Sequence, residues 1–235
     1  MQMESLKNQV RRARHIYRSW KGRDVHVRIQ DQCAKVCLGN DNANWCVCPS
    51  LLSEESVVYS IGVGTDISFD LEVIRRFGTI VHAFDPTPRS IAWLQSQRLP
   101  EKFVFHNYGI GAHDGNLVFH PPENSNFVSY SVFSRGSATA PAVEAPVCRL
   151  ATIMKRLSHT KIDLLKMDIE GAEYDVLSDL LASGAPVQQL LVEFHHRWKD
   201  VGPDRTKSAI QYLNRAGFRI FHVSASGEEY SFIKI

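Results

Sequence analysis

The chain has 235 residues, 44% of them hydrophobic and 22% charged, which fits one α/β domain with a short extension and a core that needs no disulfide or metal. With 27 basic and 25 acidic residues the formal charge is +2, too even to make nucleic acid an expected partner. No run of 18 apolar residues marks a membrane span and no apolar stretch near the N-terminus marks a secretory signal, so the cytoplasm is the expected compartment.

Residues 4–20 read as a helix. Leu6, Val10, Ala13, Tyr17 and Trp20 recur every three or four residues, with Arg11, Arg12, Arg14 and Arg18 between them. Such a helix is expected to dock its apolar stripe on the domain; the alternative is peripheral contact with a membrane surface or an anionic partner. DVHVRI (24–29) alternates as a short strand does. Four of the five cysteines lie between Asp31 and Pro49, and the spacings Cys33-x3-Cys37 and Cys46-x-Cys48 do not match zinc ribbons. The odd total, completed by Cys148, argues against a disulfide framework, so ordinary thiols are expected. Residues 1–56 are expected to form an extension packed on a main domain of residues 57–235.

From residue 57 short apolar runs alternate with helical patterns, the sign of βα units and a mostly parallel sheet. SVVYSI (56–61) leads through a glycine turn into a helix near 67–77. TIVHAF (79–84) leads into a helix near 88–97, and KFVFHN (102–107) is a third strand. NLVFH (116–120) reads as an extra strand. The segment 121–145, rich in Pro, Ser, Ala, Asn and Gly, reads as a long loop of the kind that serves as a lid. A helix near 150–157 precedes the fourth strand, KIDLLKMD (161–168), and a helix near 172–182 precedes the fifth, VQQLLVEF (187–194). After a helix at 203–216, FRIFHVS (218–224) and EYSFIKI (229–235) read as an antiparallel pair around Ser226-Gly227.

Gly62-Val63-Gly64 lets the first strand turn tightly and approach a ligand, and the free amides of a helix N-terminus follow. The dinucleotide fingerprint needs a third glycine, and Ile67 stands in its place. Asp85 ends the second strand, where a carboxylate can accept both ribose hydroxyls or cap the next helix. NYGIG (107–111) at the third strand end reads either as small residues that leave room for a flat adenine or as an ordinary turn. Asp168, Glu170 and Glu173 crowd the end of the fourth strand, which is costly unless they are solvated or used; Glu173 also suits a helix N-terminus. Glu193 and His195 end the fifth strand on one face, and histidine is the natural general base near neutral pH. Asp168, Glu193 and His195 could instead hold a divalent ion, although no resident metal is expected.

Together these segments resemble the FkbM-like branch of the class I S-adenosylmethionine-dependent methyltransferases over roughly residues 57–223. LLKMDIEGAEYDVL (164–177), LLVEFHH (190–196), HAFDPTP (81–87) and YSIGVGTDISFD (59–70) carry the resemblance. It implies a Rossmann-like α/β fold: a mostly parallel seven-stranded sheet with helices on both faces and a C-terminal antiparallel hairpin. It also implies S-adenosylmethionine as cofactor, bound by Gly62, Gly64 and Asp85, with Asp168 near the transferred methyl and Glu170, Glu173 and His195 at or near the acceptor. Ser60, Asp66, Pro86, Asn107 and Gly109 complete the expected cofactor site. Ser60 stands where the family often has an acidic residue that fixes the cofactor's amino-acid end, and Asp66 is the nearby substitute. The expected reaction is O-methylation of a hydroxyl on a sugar or other small molecule, with His195 as base assisted by Glu193 or Asp168. A nicotinamide-dependent oxidoreductase and a non-catalytic binding module are the competing readings.

Overall fold

The computed structural model describes residues 6–41, 43–122, 130–133 and 141–235. The chain opens with helix α1 (Leu6–Trp20) and a small hairpin, β1 (Val36–Leu38) and β2 (Trp45–Val47). The βα pattern then runs through β3 (Val58–Ile61), α2 (Ser68–Phe77), β4 (Val81–Phe84), α3 (Pro88–Gln95) and β5 (Phe103–His106). A small sheet follows, from β6 (Gly109–Ile110), β7 (Gly115–Phe119) and β8 (Val143–Cys148), and leads into α4 (Leu150–Leu157). The second half continues with β9 (Ile162–Met167), α5 (Glu173–Ser183), β10 (Val187–Glu193), α6 (Pro203–Arg215), β11 (Phe218–Val223) and β12 (Glu229–Lys234).

The main sheet has seven strands in the order β11-β12-β10-β9-β3-β4-β5. The strands from β5 through β10 run parallel, and β12 pairs antiparallel with both β10 and β11. Successive strands step outward from β3 in one direction and from β9 in the other. The order therefore reverses between β3 and β9, and a crevice opens at their C-terminal ends. Strand alternation divides the core. Tyr59 and Ile61 face α4, α5 and α6, whereas Val58 and Leu164 pack with Phe69 and Val73 of α2 and with Leu38, Trp45 and Val47 of the first hairpin.

Four expectations change. Residues 24–29 form no strand; just beyond them the Gln30 and Asp31 amides donate to the Ile220 carbonyl of β11. Strand β8 occupies the end of the segment expected to be a loop, pairing antiparallel with β7 and parallel with β6; residues 123–129 and 134–140 of the expected lid lie outside the described residues. Helix α1 turns its apolar stripe away from the protein, leaving Leu6 77% and Trp20 75% exposed with Val10, Ile16 and Tyr17 also in water. Its polar side, with Arg11 and His15, is the side that meets the domain. Finally, Cys37 and Cys46 are not thiols but a disulfide. They stand directly opposite each other in the β1–β2 register, a pairing that spacing alone does not reveal.

Gln189 of β10 grips the end of this hairpin with both ends of its amide, accepting from the Cys48 N–H at 2.7 Å and donating to the Cys48 carbonyl at 3.2 Å. Ser231 of β12 donates to the Cys46 carbonyl. The hairpin is thereby fixed across one face of the sheet, over β10 and β12. Alkylation of the denatured protein without reductant is expected to label three cysteines, Cys33, Cys48 and Cys148, and all five after reduction; peptide mass mapping checks it, and five labels before reduction would refute the Cys37–Cys46 bond.

Candidate functional site

The crevice at the switch point widens into a cavity of about 460 Å³. Its base is the glycine turn after β3. Gly62 adopts φ +73°, and a Cβ there would overlap the Asp168 carbonyl oxygen, so only glycine lets β3 and β9 close together at this point. The Gly62 amide donates to the Phe84 carbonyl at 2.9 Å, and the Lys166 ammonium donates to the Gly62 carbonyl at 2.9 Å. Gly64 donates its amide to Asp85 Oδ2 at 2.9 Å. The other carboxylate oxygen of Asp85 accepts from the amide and hydroxyl of Thr87 at 2.9 and 2.6 Å. A carboxylate has about four acceptor positions, so Asp85 locks the turn to the end of β4 and keeps one position for a ligand. Ile67, where a dinucleotide site would have its third glycine, is buried in an apolar cluster with Val63 and Leu94.

Asp66 sits at the mouth of α2, accepting from the Ser68 amide at 3.0 Å and the Asn40 side-chain amide at 2.6 Å. Burial raises its pKa, but these bonds and the Lys166 charge prevail and hold it below the usual range. Asp70, one turn further along α2, is buried against Ser60 and Lys166; burial outweighs both and pushes it up to about 6.

The second half of the cavity comes from the ends of β9 and β10. Glu170 takes a left-handed conformation, φ 53°, which strains a non-glycine residue. Ser131 holds it there by donating to the Glu170 carbonyl at 2.9 Å, and the bare Cα of Gly171 lets Phe133 and Trp198 pack close over the loop. Glu173, fully buried at the start of α5, accepts from the amides of Ile169 and Gly171 at 3.1 Å and from His195 Nδ1 at 2.9 Å. The other ring nitrogen of His195 lies 3.4 Å from Glu170 and 3.8 Å from Asp168. Burial would depress the imidazole, yet Glu173, Glu170 and Asp168 together raise its pKa well above the ordinary value. Glu193 is raised well above the carboxylate range by burial and by Asp168 and Glu229, and burial raises Asp168 too, against the pull of Lys166 and His195.

Of the residues expected at the site, Gly62, Gly64, Asp66, Asp85, Pro86, Gly109, Asp168, Glu170 and Glu193 line this one cavity. His195 does not line it; it stands behind Asp168 and Glu170 with Trp198 against its ring. Ser60 is buried within the sheet and Asn107 borders a separate cleft beside Tyr108. The sequence reading missed Lys166, Glu229 and the tip of the β1–β2 hairpin, Ala43 to Trp45, all of which line the cavity. A signal existed for Lys166, a charge in the middle of the apolar run LLKM; none existed for the hairpin. Asp168, Glu193 and His195 each offer a ligand atom within 4.8 Å of the others.

Residues 56–220 match the model of the methyltransferase FkbM domain. Probable methyltransferase-like protein 24 of Rattus norvegicus is 31% identical over 178 residues, covering 70% of this chain and 42% of that protein. Hexuronic acid methyltransferase AglP of Haloferax volcanii is 26% identical over 117 residues, 49% of this chain and 47% of that one. A crystal structure of methyltransferase FkbM from Methylobacillus flagellatus KT aligns with a TM-score of 0.47 at 14% identity, covering 77% of this chain and 44% of that one. The chain thus spans less than half the length of each. A family match over this much of the sequence places the chain in the methyltransferase FkbM family.

Proposed function

We propose that this chain is an S-adenosylmethionine-dependent methyltransferase that acts on a hydroxyl of a sugar or other small molecule. One observation carries the reading: the Gly62–Gly64 turn, Asp85 and the acidic ends of β9 and β10 open into a single cavity at the switch point. The remaining acceptor position of Asp85 suits a ribose hydroxyl. Gly109, Ile110, Leu117 and Phe119 offer a small and apolar wall for adenine. The carboxylates at the far end suit a sulfonium, whose positive charge offsets their mutual repulsion. Family membership supports the cofactor, and the hexuronic acid methyltransferase among the relatives supports a sugar acceptor.

In the transfer the acceptor oxygen forms a bond to the methyl carbon as the carbon–sulfur bond breaks, so the protein mainly aligns the two. The acceptor proton needs a base. An imidazole held by three carboxylates stays protonated near neutral pH, which makes His195 a positioning cation. The base role falls to Asp168 and Glu193, two close carboxyl groups that cannot both ionise easily and that burial makes more basic than ordinary carboxylates. For the compartment, the Cys37–Cys46 bond supports an oxidising environment over the cytoplasm.

Calorimetry is expected to show binding of S-adenosylhomocysteine and none of NADH, and Asp85→Asn is expected to weaken the former about tenfold or more. Binding of NADH alone would replace this reading with an oxidoreductase, and binding of neither would favour a non-catalytic module. If turnover needed magnesium and stopped with EDTA, a cation would take over the task given to the Asp168–Glu193 pair.

Histidine NMR separates the imidazoles. His195 is expected to remain protonated through neutral pH, whereas His82 and His222, each pushed down to about 4 chiefly by burial, stay neutral. Because its folded pKa lies above its ordinary value of 6.5, His195 contributes stability that is fully present below that value and lost as the pH rises through the folded one. A neutral His195 at pH 7 would restore it as the base.

A further inference from the structure

A second cavity, of about 540 Å³, lies between α1 and the turn joining β11 to β12. Six cationic side chains line it, five from α1 and Arg197, against three carboxylates, Asp41, Glu228 and Glu229. Two of these carboxylates are already engaged. Glu228 pairs with Arg197, whose guanidinium also grips Asp24, and Glu229 accepts from the Ser224 and Ser226 hydroxyls. Lys7, Arg11, Arg14 and Arg18 form no ion pair with any described carboxylate.

The spacing of those four residues is four, three and four, which aligns them on one side of the helix. At 1.5 Å per residue the row is about 16 Å long. It lies on a different side of α1 from the exposed apolar stripe. On the opposite wall His222 is driven down to about 4 by burial together with the charges of Lys35 and Arg12, a sign of a positive field in the groove. Asn44 and Glu229 border both this groove and the cavity at the switch point, so the two adjoin.

We propose that this groove binds the acceptor, and that the acceptor is an anionic glycan, one carrying carboxylate or phosphate groups along the chain. A row of four cations beside the cavity at the switch point fits an extended molecule with repeated negative charge. Neutral sugars would leave these cations without partners. The role as acceptor site rests on the methyltransferase reading; the affinity for an anionic glycan does not.

The test is calorimetry on the whole chain with trigalacturonate, mannose 6-phosphate and the neutral trisaccharide maltotriose, with phosphatidylglycerol vesicles as a further arm. Trigalacturonate or mannose 6-phosphate is expected to bind at least about 30-fold more tightly than maltotriose, and to weaken as sodium chloride is raised. Which of the two binds tells carboxylate from phosphate. Lys7→Glu/Arg14→Glu/Arg18→Glu is expected to abolish that preference while leaving affinity for S-adenosylhomocysteine and the thermal unfolding midpoint unchanged; Arg14→Gln, a milder change, should reduce it in the same direction. Equal affinity for the neutral sugar, no sugar binding, or anionic binding that survives both variants would overturn the proposal. So would binding of vesicles alone, lost in the triple variant, which would make the row a membrane contact. Trigalacturonate binding without S-adenosylhomocysteine binding would retain the groove and discard the methyltransferase; the reverse would retain only the methyltransferase.

Discussion

The site is organised around one buried imidazole. His195 has Glu173 on one ring nitrogen and Glu170 and Asp168 on the other side, and Glu193 completes the group. Removing a single charge from water costs several kcal/mol even after relaxation. Four carboxyl groups at two adjacent strand ends are tolerable only with positive charge among them and protons shared between them. His195 supplies the first and the raised Glu193 the second. Lys166 performs the same service on the other face, between Asp70, Asp168 and the Gly62 carbonyl. The cavity that results has carboxyl groups at both ends, Asp66 and Asp85 beside the glycine turn and Asp168, Glu170 and Glu193 at the ends of β9 and β10.

Backbone geometry and electrostatics support each other here. Glu173 can hold His195 because its other bonds, to the Ile169 and Gly171 amides, fold the preceding loop back on the helix start. That fold forces Glu170 into the left-handed region, a cost of about 1–3 kcal/mol offset by the Ser131 hydrogen bond and by Phe133 and Trp198 packing against Gly171. Residues 130–133, between β7 and β8, are therefore structural partners of the acidic loop as well as part of the cavity wall, through Tyr130 and Val132.

The sheet was legible because its signals are local. Val58–Ile61 and Ile162–Met167 are buried at every position, and buried parallel strands read as continuous apolar runs. Gly78 and Gly184 close their helices in the left-handed conformation, where glycine commonly ends a helix. The candidate site was half legible. Residues that end strands could be named, since strand ends converge by topology. What each does could not, because the imidazole's charge depends on Glu173 and Glu170 being folded around it. Asp66 looked like the natural substitute for the acid absent at Ser60; in space the carboxyl group beside Ser60 is Asp70, a full helical turn away in sequence. The Cys37–Cys46 bond was illegible for a similar reason: it depends on a hairpin whose strands have three residues each, too short to give a pattern of period two.

Helix α1 shows why an amphipathic pattern does not by itself decide which side faces inward. Burying one large apolar side chain is worth about 1.5–3 kcal/mol, so a helix with five such residues is expected to turn them to the core. Against this stands Asp24, fully buried beneath the helix. Burial alone would raise its pKa, but bonds to His15, His196 and Arg197 hold it far below the usual range. It is thus a buried charge, and each positive partner it gathers offsets part of the cost of taking it out of water. His15 can reach Asp24, at 3.4 Å, only if the polar side of α1 faces inward, and the bare Gly227 leaves room for its ring. The observed rotation of the helix adds His15 to the partners that Arg197 and His196 already give Asp24. With that rotation fixed, the row from Lys7 to Arg18 borders the groove and the apolar stripe is left facing water.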